Sequence, residues 1–105
     1  MCYITHMRAV LVVFHLPKGS SPAKHRDFRQ AMYGEDVSVA KGRYRYRRHG
    51  LLDEILHVRM YWGVVIIKRQ DFKRVKEVLE KFSAEYGTRE VKPTKKDLKA
   101  LMVRL

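Results

Sequence analysis

The sequence concentrates its most distinctive chemistry in the cationic run Lys41-Gly42-Arg43-Tyr44-Arg45-Tyr46-Arg47-Arg48. Guanidinium groups match phosphate oxygens in planar, bidentate pairs, and tyrosine rings offer flat surfaces on which unpaired bases stack. In a strand, the period of two places three arginines on one face and both tyrosines on the other. Because burying three arginines is costly, we expect the tyrosines to point inward and the arginines outward. An edge strand protected by charge against aggregation would show the same pattern.

This run predicts a surface that contacts phosphates. The candidate residues are Lys41, Arg43, Arg45, Arg47 and Arg48, with Arg26 and Arg29 as assisting residues. Arg26 and Arg29 belong to a basic helix face shared with Lys24 and His25. An ordinary solvated helix face would show the same residues, and the sequence leaves open whether this face meets the cationic run in space. The chain has no aromatic RNP motif, Cys/His finger or heptad repeat. We therefore expect backbone contacts without sequence-specific readout.

Histidines and acids offer only weak catalytic candidates. The histidines are His6, His15, His25, His49 and His57. None pair at the three- or four-residue spacing of a helical metal site, so no metal is expected. His15 and His49 could act as general acid or base in metal-independent phosphodiester cleavage, although ordinary surface histidines are the simpler interpretation. The adjacent acid pairs Glu35-Asp36 and Asp53-Glu54 do not predict a two-metal site, and without a P-loop, dinucleotide fingerprint or nucleophile elbow no cofactor is expected.

The net charge of +12 is spread unevenly along the 105 residues. Residues 18–49 carry nine Lys or Arg against three acids, whereas residues 1–17 carry only one net positive charge. A strongly basic protein attracts anions from a distance, so the expected partner is a polyanion, above all nucleic acid. A general solubility charge is the alternative.

Composition predicts one domain over residues 1–105, with a core at 8–91 and a helical segment at 94–105. The longest apolar run, at 9–16, is too short to span a membrane, and no signal-peptide pattern follows it, so we expect a cytoplasmic protein with no membrane partner. Cys2 is the only cysteine, which excludes an intrachain disulfide. The absence of Asn and the abundance of Lys, Arg and Glu indicate a thermophile.

Hydrophobic periodicity and turn residues predict seven elements. They are a strand at 8–16 buried on both faces, a helix at 23–33 begun by Ser21 and Pro22 and ended by Gly34, strands at 43–47 and 57–68, a helix at 70–86 capped by Asp71, a strand at 88–91, and a last helix opened by Thr94 and Asp97. We expect Gly63 to bend the strand at 57–68. A hairpin turn at Trp62-Gly63 is disfavoured because Trp tolerates a left-handed backbone poorly.

This order predicts an α+β, ferredoxin-like βαββαβ two-layer sandwich with an extra C-terminal helix. In the order of its elements over residues 8–91, the chain resembles the small ferredoxin-like proteins of CRISPR spacer acquisition and related toxin-type nucleases. The first strand of that family usually ends in an aspartate, whereas this chain reads Phe14-His15-Leu16-Pro17. The resemblance therefore does not imply metal-dependent cleavage here.

The C-terminal segment carries an apolar stripe formed by Leu98, Leu101, Met102 and Leu105. We expect it to dock on the protein's own sheet; docking on a second subunit, giving a homodimer through the helix or the sheet, is the alternative. The leading functional expectation is a non-enzymatic nucleic-acid-binding module, with RNA slightly favoured over DNA. The alternatives are a metal-independent phosphodiesterase and an interaction or regulatory subunit with an acidic partner.

Overall fold

The computed structural model describes residues 8–102 of the chain. Its elements are β1 (Ala9–His15), α1 (Pro22–Tyr33), β2 (Glu35–Val39), β3 (Tyr44–Arg48), α2 (Leu51–Glu54), β4 (His57–Tyr61), β5 (Val64–Lys68), α3 (Phe72–Lys81), β6 (Glu85–Val91) and α4 (Lys95–Met102). The expectations on Cys2 and Leu105 lie outside the described residues.

The architecture is mixed α+β, with one four-stranded antiparallel sheet and a separate two-stranded sheet. The larger sheet has the order β4-β5-β1-β6, and β1 pairs with both β5 and β6. Helices α1 and α3 contribute Phe28, Met32, Val75 and Leu79 to the main core. Val10, Val12 and Phe14 alternate along β1 into this core, as the period of a strand requires.

Helix α4 covers part of the opposite face of the sheet. Leu101 is fully buried and packs in a cluster with Ala9 and Ile66, so the predicted docking on the protein's own sheet is confirmed for this residue. Thr94 and Asp97 exchange two side-chain-to-backbone hydrogen bonds of 3.1 Å, which is the predicted capping box. Beyond the reach of this helix, Val13 is 45% exposed; the prediction that β1 is buried on both faces therefore fails at its C-terminal end.

The predicted start and end of the first helix are confirmed within one residue. The Ser21 hydroxyl accepts a hydrogen bond from the Lys24 amide at 3.1 Å, Pro22 begins the helix, and Gly34 ends it with a φ of 75°. The second long helix is shorter than predicted, because Ser83 takes a left-handed φ of 55° and the chain turns into β6 at Glu85. Asp71 does not cap it through its side chain.

Two predictions about the strands are wrong. The segment 57–68 forms the hairpin β4–β5, with Trp62 and Gly63 in the turn. Only Gly63 has a positive φ, at 80°, so Trp62 needs no left-handed backbone. Strand β3 lies outside the four-stranded sheet, because β2 (Glu35–Val39) pairs with it along its whole length and the split segment supplies two strands instead of one.

Candidate functional site

The β2–β3 hairpin carries the cationic run on an exposed two-stranded ribbon. All five residues of β3 are exposed, and Tyr44 and Tyr46 expose 64% and 48% of their surface. The prediction that both tyrosines point inward is therefore wrong. That prediction assumes a sheet with one covered face, but β3 lies outside the four-stranded sheet and all five of its residues are exposed.

The two faces of this hairpin differ in chemistry. On one face, Val37 lies opposite Tyr46 and Val39 opposite Tyr44. Val37 is half-buried, and the other three side chains are exposed. On the other face, Ser38 lies opposite Arg45 and Asp36 opposite Arg47. The predicted separation of tyrosines from arginines is confirmed for Arg45 and Arg47, although neither face is buried. Arg43 lies in the loop before β3, and Arg48 shares the face of the tyrosines.

Arg47 is held by the body of the protein. Its Nη2 donates to both carboxylate oxygens of Asp53 at 2.8 Å and to the carbonyl oxygen of Tyr33 at 2.7 Å. Its Nη1 donates to Asp36 at 3.3 Å. Both terminal nitrogens of Arg47 therefore have acceptors in the same chain, and a phosphate would compete with these acceptors. The contact of Arg47 with phosphate stays a prediction.

The same arginine controls the ionisation of Asp53. Partial burial alone would raise the pKa of Asp53, but hydrogen bonds from Arg47 and from the Gly50 amide, the latter at 2.9 Å, lower that pKa below its ordinary value of 3.8. Asp53 thus connects the hairpin to the start of α2. One member of each adjacent acid pair, Asp36 and Asp53, pairs with the Arg47 guanidinium.

The other cations of the run are exposed. Within residues 8–102, Lys41, Arg43, Arg45 and Arg48 form no ion pair within 4.0 Å. The Tyr46 side chain, through a hydrogen bond, raises the pKa of Arg48, which stays cationic at any working pH. Lys41 stands in the four-residue loop of the hairpin with a left-handed φ of 59°. Four of the five predicted central residues therefore remain available to an anion.

The two assisting residues on α1 have different surroundings. Arg26 pairs with Asp27 at 3.6 Å on the surface. Arg29 is exposed and lines an open cleft of about 230 Å³ between the end of β1, α1 and the β4–β5 turn. No residue of the β2–β3 hairpin is among the described residues that line this cleft. Arg29 therefore belongs to a second basic region, next to His15 and His25.

The floor of the cleft is apolar and its wall is aromatic. Phe14 and Phe28 are buried and meet edge to face with ring centroids 5.8 Å apart. Trp62 is 56% exposed, and its ring meets Tyr33 edge-on at 4.7 Å. The Arg59 guanidinium lies 4.4 Å from the Trp62 ring centroid. A second hollow of about 370 Å³ lies against Trp62 and Arg29.

Backbone contacts of Gly63 hold the turn that carries Trp62. The Gly63 amide donates to the Tyr33 hydroxyl at 2.7 Å, and the Gly63 carbonyl accepts from the Phe14 amide at 2.8 Å. A Cβ at Gly63 would lie 2.5 Å from the Phe14 carbonyl oxygen, so only glycine fits. Burial raises the pKa of Tyr33, while the Gly63 hydrogen bond and the charge of Arg59 oppose this shift.

Sequence reasoning missed Arg59, Trp62 and Tyr33 as neighbours. The signal in the sequence is the apolar run Met60-Tyr61-Trp62 directly before Gly63, which is unusual for a turn. A continuous strand over 57–68 would not bring Trp62 to the end of α1, whereas the hairpin turn does.

The two candidate histidines are also separated. His15 lines the cleft, where its Nε2 lies 3.3 Å from Glu85 and its Nδ1 3.0 Å from the Leu16 carbonyl. His49 is exposed and does not line the cleft. Over residues 8–102, no group of three or more His, Cys, Asp or Glu side chains is placed to hold a metal ion.

No helix in the described part of the chain is long and apolar enough to cross a membrane. Comparison with protein-family models, curated proteins and solved structures gives no match.

Proposed function

We propose that the protein binds single-stranded nucleic acid through the β2–β3 hairpin, by contacts to the phosphate backbone and by base stacking. RNA is slightly favoured over DNA, because small sheet domains commonly serve as RNA-binding scaffolds. The observation that carries the proposal is the exposure of Tyr44 and Tyr46 on the same ribbon as unpaired cations. Strand β3 and the loop before it together present cations for the phosphates and aromatic rings for the bases of a single-stranded nucleic acid.

Electrostatics supports the first half of the proposal. Apart from Arg47 and its acceptors, the hairpin presents Lys41, Arg43, Arg45 and Arg48 against the single acid Glu35, which accepts a 2.6 Å hydrogen bond from Gln30. Cations that form no ion pair with the described residues can neutralise phosphates and release condensed counterions. They also attract a polyanion from a distance.

The tyrosines support the second half. Tyr44 and Tyr46 lie on one face, two residues apart, which separates them by about 6.6 Å along the strand. Each ring can therefore take its own base, at about 1–3 kcal/mol per stacked base. Stacking is tolerant of base identity, which agrees with the expected lack of sequence readout.

The strand order also supports a ferredoxin-like interpretation of the fold. The antiparallel order β4-β5-β1-β6, with α1 and α3 packed on one face, is the arrangement that a split βαβ pair would give. In this interpretation the β2–β3 hairpin and α2 are an insertion between α1 and β4. Such a fold hosts many functions, so the proposal depends on the hairpin and not on the fold.

The central test replaces three hairpin cations while leaving Arg47 in place. We expect Lys41→Ser, Arg43→Ser and Arg45→Ser together to abolish most binding to a labelled single-stranded RNA, measured by fluorescence anisotropy at several salt concentrations. Because about 0.7 counterions are released per phosphate of a single strand, the slope of log affinity against log salt should fall by about 2.

The matched control removes the same charge from α4. Lys95, Lys96 and Lys99 are exposed cations of that helix, and changing all three to Ser lowers the net charge equally. We expect the control to keep most of its affinity. Equal losses in the two triple variants would show that binding depends only on net charge and would reject the hairpin as the site.

A second pair of variants separates stacking from charge. Tyr44→Ser with Tyr46→Ser should weaken binding roughly 30-fold or more without changing the salt slope, since each of the two stacked bases contributes about 1–3 kcal/mol. Tyr61→Ser removes another exposed tyrosine, on β4, and should have little effect. An unchanged affinity in the double variant would leave a purely electrostatic surface and reject the stacking half.

Metal-independent phosphodiester cleavage is the second candidate function, because His15 and His25 line the same cleft as Arg29. One imidazole could accept the proton of an attacking hydroxyl while the other donates a proton to the leaving oxygen, and Arg29 could stabilise the charge on phosphorus. Purified protein should then cleave labelled RNA equally with and without chelator, and His25→Gln should stop cleavage. Intact RNA and DNA under both conditions would reject this function.

A further inference from the structure

We propose that the cleft between β1, α1 and the β4–β5 turn is a subsite for one unpaired nucleotide, with the base against Trp62 and the phosphate on Arg29 and His25. The proposal rests on the proposed function only for the source of the nucleotide, a single strand that also contacts the hairpin. The cleft itself stands on separate residues and can be tested separately.

The indole of Trp62 is exposed yet fixed. Arg59 lies against its ring at 4.4 Å, Tyr33 meets it edge-on at 4.7 Å, and Gly63 anchors the turn through two backbone hydrogen bonds. A side chain that is already ordered loses little conformational entropy when a ligand binds. Among the described residues Trp62 is therefore a ready-made platform for a planar base.

The hollow beside Trp62 is bounded on its other side by a cation. Arg29 and Trp62 line both the cleft of about 230 Å³ and the hollow of about 370 Å³, so the two spaces share these residues. The hollow of about 370 Å³ lies within the size range usual for small-ligand sites. A base in this space would lie between an indole and a guanidinium, both of which stack on aromatic rings.

The charge around the cleft suits a phosphate. Within residues 8–102, Arg29 forms no ion pair, and none of the described residues lining the cleft is acidic. His25 lines the same opening one helical turn before Arg29, so the two side chains share a face of α1. His15 is already paired with Glu85, and we therefore assign the phosphate to Arg29 and His25.

The test uses the intrinsic fluorescence of Trp62, which is the only tryptophan in the chain. Adenosine 5′-monophosphate should quench it in a saturable manner, because a stacked base contacts the fluorophore directly. Adenosine should quench at concentrations roughly tenfold or more higher, since it lacks the charge-assisted hydrogen bonds to Arg29. Inorganic phosphate should not quench, but should compete with the monophosphate.

Two pairs of variants assign the site. Arg29→Gln should weaken the monophosphate roughly tenfold or more and leave adenosine unchanged, while Arg26→Gln, one turn away and paired with Asp27, should change neither. By calorimetry, Trp62→Phe should retain binding and Trp62→Ser should lose it. Absence of quenching by the monophosphate, or equal losses in the Arg29 and Arg26 variants, would overturn the subsite.

The tests of the cleft and of the hairpin can fail independently of each other. The Lys41, Arg43 and Arg45 triple variant should lose affinity for long single-stranded RNA but keep full quenching by the monophosphate. If long RNA binds through the hairpin while the monophosphate does not bind, the subsite alone is wrong. If the monophosphate binds while long RNA does not, the hairpin proposal is wrong and the cleft is a site for free nucleotides.

Discussion

The four-stranded sheet and the β2–β3 hairpin are both antiparallel and both contain valine and aromatic residues, but their side chains meet opposite surroundings. In β5, Val65 and Ile67 are fully buried beneath the helices. In the hairpin, Val39, Tyr44 and Tyr46 are exposed. The same kinds of strand residues thus build a core where a helix covers them and form an open surface where none does.

A similar contrast separates two arginines of the hairpin. Arg45 and Arg47 lie on one face, two residues apart, and each follows a tyrosine. Arg47 reaches three acceptors of the chain, whereas Arg45 lies opposite Ser38 and is exposed. One arginine therefore attaches the ribbon to the body and the other is available to a ligand.

The sharpest test of the first contrast compares a sheet residue with a hairpin residue. Ile67→Ala should lower the free energy of unfolding by about 2–5 kcal/mol, because it opens a cavity in a close-packed core. Val39→Ala should change it by no more than about 0.5 kcal/mol. Urea denaturation measures both; a comparable loss for Val39 would mean that the hairpin face is covered in solution.

The next effect concerns the turn that carries Trp62. Tyr33→Phe leaves the Gly63 amide without its partner and should cost about 1–3 kcal/mol of stability. Tyr61→Phe, at an exposed position, is the control and should be silent. Equal denaturation curves for the wild type and Tyr33→Phe would show that water replaces the hydroxyl and that the turn does not depend on it.

A smaller stability effect is expected from removing the hairpin altogether. Glu35 and Arg48 are directly opposite in the ladder, so Asn-Gly can replace residues 36–47 as a two-residue turn. We expect a cooperative melt with a midpoint within about 5 °C of the wild type, and the loss of most of the affinity for single-stranded RNA. Loss of the cooperative melt would show that the core depends on the hairpin.

The smallest effect is a pH dependence. Because the pKa of Asp53 is lowered in the folded state, its contribution to stability is present above the ordinary carboxyl value of 3.8 and is lost as the pH falls through the lower folded value. An NMR titration should place the Asp53 pKa below 3.8 in the wild type. Arg47→Gln should raise it; the same pKa in both proteins would exclude the ion pair in solution.

Much of the body could be predicted from sequence because its signals are local. Ser21, Pro22 and Gly34 mark the limits of α1, and Thr94 with Asp97 marks the start of α4. The β4–β5 hairpin could not be predicted equally well. Gly63 can either bend one continuous strand or form the turn between two strands, and the choice depends on which strands the segments before and after Gly63 pair with. That pairing involves β1, about fifty residues away in sequence.

The candidate site also has features that the sequence shows and features that it does not. The cations at Lys41, Arg43, Arg45 and Arg48 were identified from sequence, since charge and spacing are visible there. The sequence does not show that Arg47 pairs with Asp53, or that Trp62 and Arg29 border the same hollow. Each arrangement depends on contacts between elements that are distant along the chain.

By itself, the sequence determined the net charge, the concentration of arginines and tyrosines in one segment, and the alternation that separates them on two faces of a strand. These properties follow from composition and from the period of two, which no tertiary contact alters. Only the tertiary structure decided that neither face of the hairpin is buried, that Arg47 is paired with Asp53, and that Trp62 borders the cleft. Those depend on where helices and turns from other parts of the chain come to lie.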